Sequence, residues 1–351
     1  MRSLKVTAFF LFFGSWAGET CHALPTPPDK IIQDKIVRIS LGTHSRLAIS
    51  GHDLELSGQS QFSGDSFFNL RCGIENGSGA AYVEYGAGKR ALGRLTIVAP
   101  SGFLQFNNQL FRDRLVIIPK GHSCLVVNTL GLESYIVGVI GKEMSPSWPL
   151  EALKAQAVAS RSYALHQIEA NRNKEFDLEA STQDQVYDGM RGESARAAEA
   201  VDATRSIVLS YNQQPLKAYF HANCGGITEV PEFVWGGEIK AFRQVVCPYH
   251  RRSRDRSAWK LRLSRLQIEH ALRKISGLLP KNFFRLASLE AGAPNLSMRL
   301  TDLSLSDTSG NNILVNTSLF RTAIGNSKIK STAFQIQRDA EGYLLSGEGN
   351  G

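Results

Sequence analysis

From residue 36 to about 128 the apolar residues come only in short runs. They are Ile36-Val37-Arg38-Ile39, Tyr82-Val83-Glu84-Tyr85, Leu95-Thr96-Ile97-Val98, Leu115-Val116-Ile117-Ile118 and Leu125-Val126-Val127, with Gly, Asn and Ser clusters between them. β-branched and aromatic residues in runs of this length suit strands, and the spacing predicts a sandwich or barrel-like β module. Phe103, Phe106 and Phe111 are expected in core or turn packing. The pattern then changes. Residues 132–141 form a short candidate helix, and a longer one starts near Pro149 and runs to about Asn171. Ser147 can cap it, Pro149 sits in its first turn, and Glu151 suits the positive helix end. Leu150, Leu153, Val158 and Leu165 are expected to face a core, among alanines that allow close approach. Residues 192–204 read as a second Ala-rich helix, 206–222 as a hairpin turned at Asn212-Gln213-Gln214-Pro215, and 265–276 as a helix capped by Ser264. Strand patterning returns after residue 297, and there is no internal repeat. The predicted class is α+β: a β-rich N-terminal part (36–128), a mixed helical and β core (129–260) and a mixed α/β C-terminal part (261–351).

Composition sets the context. The chain has 351 residues, 42% hydrophobic and 21% charged, which excludes disordered, collagen-like and coiled-coil chains. A net charge of +8 favours anionic neighbours without choosing among them. Arg2 and Lys5 precede the apolar run Val6–Phe13, and Gly14, Ser15, Ala17 and Gly18 follow. This is the layout of a secretory signal, with cleavage expected after Ala23. The run is too short to span a membrane. Glu19 and Thr20 stand where a lipoprotein signal needs small residues before Cys21. Residues 1–23 are therefore expected to be removed, and 24–35, with Pro25-Thr26-Pro27-Pro28, to be a linker. The mature chain is expected in the periplasm, cell envelope or extracellular space, without a spanning segment. Cys72, Cys124, Cys224 and Cys247 then remain, an even number that fits disulfides but does not give their connectivity.

Candidate chemistry lies between residues 131 and 250. Glu143, in Gly141-Lys142-Glu143-Met144-Ser145-Pro146, stands between two helices, where a loop can hold a carboxylate over a groove. Lys154 and Arg161 are two turns apart on one helix face and can grip a polar or anionic ligand; an ordinary charged surface gives the same pattern. His221-Ala222-Asn223-Cys224 and Cys247-Pro248-Tyr249-His250 pair as His-x-x-Cys and Cys-x-x-His. Two readings stand: a closed, structural zinc site, or a Cys224–Cys247 disulfide. Gly225-Gly226 suggests a tight turn or a close backbone approach. The Arg-rich segment Arg251–Arg256 reads as a solvated loop, and no nucleic-acid motif is present.

Leu132-Glu133-Ser134-Tyr135-Ile136-Val137-Gly138-Val139-Ile140-Gly141-Lys142-Glu143-Met144 resembles the core motif of the SpoIID/LytB family, the stage II sporulation protein D and amidase-enhancer group. The resemblance continues through Trp148–Leu165, resumes at Thr182–Gly189 and again at Tyr219–Glu229, and covers the chain from about residue 36 to its end. It implies a bacterial cell-wall enzyme, in a family that spans sporulation, cell division and wall remodelling. Family members of known activity are lytic transglycosylases that cut the MurNAc–GlcNAc bond of peptidoglycan, preferring glycan stripped of stem peptides.

The family's catalytic glutamate falls on Glu143, and its supporting basic residues on Lys154 and Arg161. Tyr163, Gln185 and Tyr187 are further groove-lining candidates. Such an enzyme manages with one carboxyl group where glycosidases commonly use two, and needs no catalytic cofactor. Some members bind zinc through Cys and His, which here assigns a scaffold zinc to His221, Cys224, Cys247 and His250. Implied partners are peptidoglycan glycan strands and a wall amidase, not nucleic acid. The rival reading is a non-catalytic wall-binding protein or an enhancer of an N-acetylmuramoyl-L-alanine amidase. A zinc-dependent wall hydrolase is a third; it would need an open coordination position. The family usually ends in a glycine-rich stretch with Gly-His-Gly. Here the sequence stops at Leu345–Gly351, so truncation is the expectation.

Overall fold

Alternation between buried and exposed residues makes the strands of the N-terminal half legible in three dimensions. Val37 and Ile39, Leu47 and Ile49, and Phe68 and Leu70 all point into one core, with Arg38, Ala48 and Asn69 between them facing outward. The computed structural model describes residues 35–56, 65–75, 77–85, 88–236, 239–250, 258–275, 277–283 and 285–351. The expected signal and segment 251–256 lie outside the described residues. The class is α+β, as expected. Among the described residues no helix is long and apolar enough to cross a membrane. The chain forms two units, Met1–Tyr219 and Phe220–Gly351.

In the first unit, ten strands make one sheet: β1 (Ile36–His44), β2 (Arg46–His52), β3 (Glu55–Leu56), β4 (Asp65–Glu75), β5 (Ser78–Tyr85), β6 (Gly88–Leu92), β7 (Leu95–Phe106), β8 (Gln109–Lys120), β9 (Ser123–Gly131) and β10 (Leu178–Glu179). Their order is β10-β1-β9-β8-β7-β2-β4-β5-β6, with β3 on β7. All pairs are antiparallel except β1 with β10. Asn107 and Asn108, at φ 49° and 61°, make the two-residue turn between β7 and β8. Phe106 and Phe111 are buried as expected, but Phe103 is 43% exposed, because its alternation in β7 turns it to the outer face. A disulfide joins Cys72 on β4 to Cys124 on β9, with Cα atoms 5.7 Å apart.

Helices α1 (Leu132–Glu143), α2 (Leu150–Ala170) and α3 (Ala195–Ala203) pack on this sheet, and β11 (Ser210–Tyr211) and β12 (Gln214–Pro215) form a small hairpin. Leu132, Tyr135, Ile136, Val139 and Ile140 of α1 and Leu153 and Ala157 of α2 share one core with Ile39, Phe68 and Ile97 of the strands. A domain boundary at residue 128 is therefore absent: the helices cover a sheet face that would otherwise be bare. The buried face of α2 carries Leu153, Ala157, Ala164 and Leu165, while Leu150 and Val158 are only partly covered. Pro149 is the N-cap of α2 and no side chain caps it; Ser147 bonds to Ser145 instead.

The second unit holds α4 (Pro231–Trp235), β13 (Trp259–Leu263), α5 (Arg265–Arg273), β14 (Leu286–Ala291), β15 (Asp302–Asp307), β16 (Asn312–Asn316), α6 (Thr317–Ile324), β17 (Phe334–Asp339) and β18 (Gly342–Gly347). Its sheets are β13-β18-β17 and β14-β15-β16. Trp259, Ile268, Leu305, Phe320 and Tyr343 centre a separate core. Ser264 and Gln267 form a full capping box on α5, the expected helix start, but the helix stops at Arg273.

Candidate active site

The site is built where α1 meets the segment after β10. Gly138 and Gly141 lie one turn apart on the helix face that this segment crosses. A Cβ on Gly141 would fall 1.9 Å from the Gly192 carbonyl oxygen, and one on Gly138 2.9 Å from the Tyr187 ring. Only glycine allows the two backbones to approach this closely. The approach brings the Val186 backbone N–H to Glu143, where it donates to Oε1 at 2.8 Å.

Glu143 is the last residue of α1, not a loop residue as expected, because the helix runs two residues further than 132–141, with Met144 as its C-cap. It is half-buried. Among the described residues its Oε2 has no hydrogen-bond partner. Burial raises the pKa of the carboxyl, and the Val186 hydrogen bond opposes that rise. The C-terminal end of a helix, where the backbone dipoles disfavour an anion, works in the same direction as burial. The preceding residue is drawn off to the side: Lys142 Nζ is 3.0 Å from Asp188 Oδ2.

The other expected site residues divide sharply. Arg161 is fully buried and makes a bidentate pair with Glu133, Nε to Oε1 at 2.9 Å and Nη2 to Oε2 at 2.7 Å. It also donates to the backbone carbonyl of Ile207 at 3.0 Å. Arg161 therefore binds the core and not a ligand. Its side chain follows Leu153 and Ala157 on the inward face of α2, where a cation is tolerated only with a partner. Lys154 stands on the partly exposed start of α2 and pairs with Glu151 at 2.7 Å. The two cations do not act together.

Gln185 is fully buried and accepts a hydrogen bond from Tyr135 Oη at 3.0 Å. Tyr163 donates to Asp184 at 2.7 Å, and Tyr187 donates to Asn128 at 2.8 Å. Burial pushes both phenols above their ordinary range, so they serve as neutral donors. These three residues fix the segment carrying Val186 rather than line a groove beside Glu143. Asp184, Asp188, Glu133 and the glycine pair are the residues that sequence reasoning did not single out. The signal for the glycines was present: each interior helix glycine costs about 1 kcal/mol against Ala, so two at one-turn spacing call for a packing reason.

In the second unit, the segments of the Cys/His quartet do lie side by side, through an Ile227–Val246 bridge and a Cys247 N–H to Gly226 carbonyl bond of 2.8 Å. Gly225 and Gly226 have φ of 70° and 110°, as the expected tight turn requires. Cys224 and Cys247 are free thiols, so the alternative disulfide is not formed in the structure. His250 turns Nε2 to Glu348 at 2.9 Å, and its Nδ1 is buried with no hydrogen-bond partner among the described residues. Among the described residues no three His, Cys, Asp or Glu side chains converge as a metal group. The expected four-ligand set of His221, Cys224, Cys247 and His250 is thus not assembled.

The chain is similar in sequence to known proteins. The family model described as SpoIID, stage II sporulation protein, matches residues 120–211, which carry α1, α2, Glu143 and the Val186 segment. An uncharacterized protein of Brachyspira hyodysenteriae is 32% identical over 279 residues, covering 79% of this chain and 72% of that protein. The amidase enhancer of Bacillus subtilis is 29% identical over 263 residues, covering 61% of this chain and 35% of that protein. Stage II sporulation protein D of Bacillus subtilis is 31% identical over 149 residues, covering 38% of this chain. The matched part spans less than half of that relative, 43%. The match centres on the helix that ends in Glu143 and on the segment that holds its carboxyl, and the chain belongs to the SpoIID family.

Proposed function

We propose that the protein is a lytic transglycosylase acting on peptidoglycan glycan strands, with Glu143 as both acid and base. One observation carries the reading. Glu143 is half-buried at a helix C-terminus with its pKa raised, and among the described residues one of its oxygens accepts a backbone N–H and the other has no hydrogen-bond partner. A raised pKa favours the protonated form that a general acid needs.

Protonated Glu143 donates to the oxygen of the MurNAc–GlcNAc bond. The bond from MurNAc C1 to that oxygen breaks, and its electron pair leaves with the oxygen. The 6-hydroxyl of the same MurNAc then bonds to C1, and its proton returns to the Glu143 carboxylate. The products are a 1,6-anhydro-MurNAc end and a free GlcNAc hydroxyl, with no water consumed. Arg161 has no part in this chemistry: it holds α1 against α2 through Glu133. Lys154 is the one expected cation left for substrate, and the lactyl carboxylate of peptide-free glycan is its natural counterpart. Export by the expected signal would bring the chain to the wall.

The test is digestion of amidase-stripped glycan strands by the wild type and by Glu143→Gln, with the products read by mass spectrometry. Anhydro ends from the wild type alone are the expected result. Reducing ends carrying an added water overturn it. The likeness to the amidase enhancer of Bacillus subtilis supports a second reading, a non-catalytic protein that binds wall glycan and stimulates an amidase. Absence of products with glycan binding retained, and amidase stimulation equal in wild type and Glu143→Gln, would favour it.

A further inference from the structure

The segment that holds Glu143 has no ladder of its own. Residues 180–187 lie in neither helix nor strand. The place of the Val186 N–H is therefore set by the side chains beside it. Gln185 is buried and accepts from Tyr135, and its amide donates to the Ser160 carbonyl at 3.4 Å. The other anchor on that side is Asp184.

Asp184 gathers donors from two regular elements. Its Oδ1 accepts from Tyr163 Oη at 2.7 Å and from Gln167 Nε2 at 3.0 Å, and its Oδ2 accepts from the Glu179 N–H at 2.9 Å. Tyr163 and Gln167 stand four residues apart on one face of α2, and Glu179 ends β10. Bonds to a carboxylate are roughly twice as strong as neutral ones, so this is the firmest tie that the segment makes to α2. The Tyr163 ring is itself fixed. The Tyr219 ring meets it edge-on at 6.3 Å, and Lys217 Nζ lies 5.6 Å from the centre of the one ring and 5.4 Å from that of the other. Among the described residues Asp184 shares no hydrogen bond with Glu143, so it reaches the acid only through Val186.

We infer that Asp184 is a positioning residue for Glu143: by tying this segment to α2 and β10 it fixes the Val186 N–H against the carboxyl and so aims it. The inference rests on the glycan-cleaving reading above for the reaction that the aimed carboxyl serves. Without the Asp184 carboxylate, Tyr163 Oη and Gln167 Nε2 lose their acceptor, the segment loosens from α2, and Val186 moves off Glu143. The Val186 N–H opposes the rise in pKa that burial causes, so its loss lets the carboxyl climb further. A misplaced acid also works more slowly, since a shift of about 1 Å costs up to about 10²-fold. A side chain that only stabilised the fold would lower the melting temperature and leave the Glu143 midpoint where it is.

The test uses the full chain carrying Asp184→Ala, with Tyr163→Phe as a milder variant that keeps the ring and removes one donor. The Glu143 carboxyl is titrated by carbon-13 NMR, and cleavage of amidase-stripped glycan is followed against pH. Asp184→Ala is expected to raise the Glu143 midpoint and to lower kcat about 10–100-fold with KM little changed. The fall in cleavage with rising pH should move to higher pH with the midpoint. Tyr163→Phe is expected to act in the same direction and less, and Asp184→Asn, which keeps one acceptor oxygen, to recover part of the loss. Thermal unfolding shows which variants fold, and Tyr163→Phe decides the matter where Asp184→Ala does not. An unmoved midpoint and pH profile in the folded variants, with only the melting temperature lowered, overturns the inference. The midpoint is read without substrate, so the two readings fail separately. A raised midpoint in a chain that makes no anhydro products removes the chemistry alone; anhydro products with an unmoved midpoint remove the role of Asp184 alone.

Discussion

The two ends of α1 each carry a glutamate, and the structure treats them in opposite ways. Glu133 lies in the first turn, where the helix dipole favours an anion, and Arg161 takes both of its oxygens. Glu143 lies in the last turn, where the dipole disfavours an anion, and among the described residues its carboxyl has one backbone N–H and no cation. One carboxylate is fully neutralised and becomes part of the core. The other is left with an open oxygen and a raised pKa. The same side chain becomes scaffold or reagent according to which charges and dipoles surround it.

Four substitutions probe this contrast. Glu143→Gln should lower the cleavage rate by about 10²–10⁴-fold, the usual contribution of a general acid–base group. It should leave the melting temperature unchanged or higher. A carboxyl whose folded pKa is raised contributes stability below its unfolded pKa, and that contribution is lost as pH rises through the folded value. Removing the charge therefore costs nothing at neutral pH. A clear fall in melting temperature would make Glu143 scaffold too, and end the contrast.

At the other end, Arg161→Ala should cost about 3–5 kcal/mol in denaturant unfolding, because it strands Glu133 and the Ile207 carbonyl. A stable variant with weakened glycan binding would return Arg161 to the substrate. Gly141→Ala comes next, at about 1–3 kcal/mol, since its Cβ meets the Gly192 backbone and must push the segment away. Loss of activity beyond that loss of stability is expected, as Val186 shifts from Glu143. Lys154→Ala should change stability by less than about 1 kcal/mol, as for exposed pairs generally. A raised KM with kcat unchanged would establish its contact with substrate.

Much of this was legible before the structure. Short β-branched runs identified the sheet, and Ser264 marked the start of α5. The Leu132–Met144 motif pointed to Glu143, the residue on which the proposed function rests. Placing Arg161 with Lys154 as a pair of surface cations failed for a physical reason. Steps of four residues set Arg161 behind Leu153 and Ala157 on the buried face, but its partner Glu133 lies on another helix, and pattern along one helix does not reveal contacts between two. Tyr163, Gln185 and Tyr187 went astray likewise. They stand in or next to motif segments, yet hydrogen bonds to Asp184, Tyr135 and Asn128 turn them inward. The Cys72–Cys124 bridge was hidden because strand register, not spacing, brings its ends together.

The most direct test is the protonation of Glu143 itself. Carbon-13 NMR of the side-chain carboxyl, assigned with Glu143→Gln, follows its titration in the folded chain and in the urea-unfolded chain. A folded midpoint above the unfolded one is predicted, with cleavage falling as pH rises through it. A folded midpoint at or below the unfolded one would mean that the fold stabilises Glu143 as a carboxylate, and the account of a poised acid would be wrong.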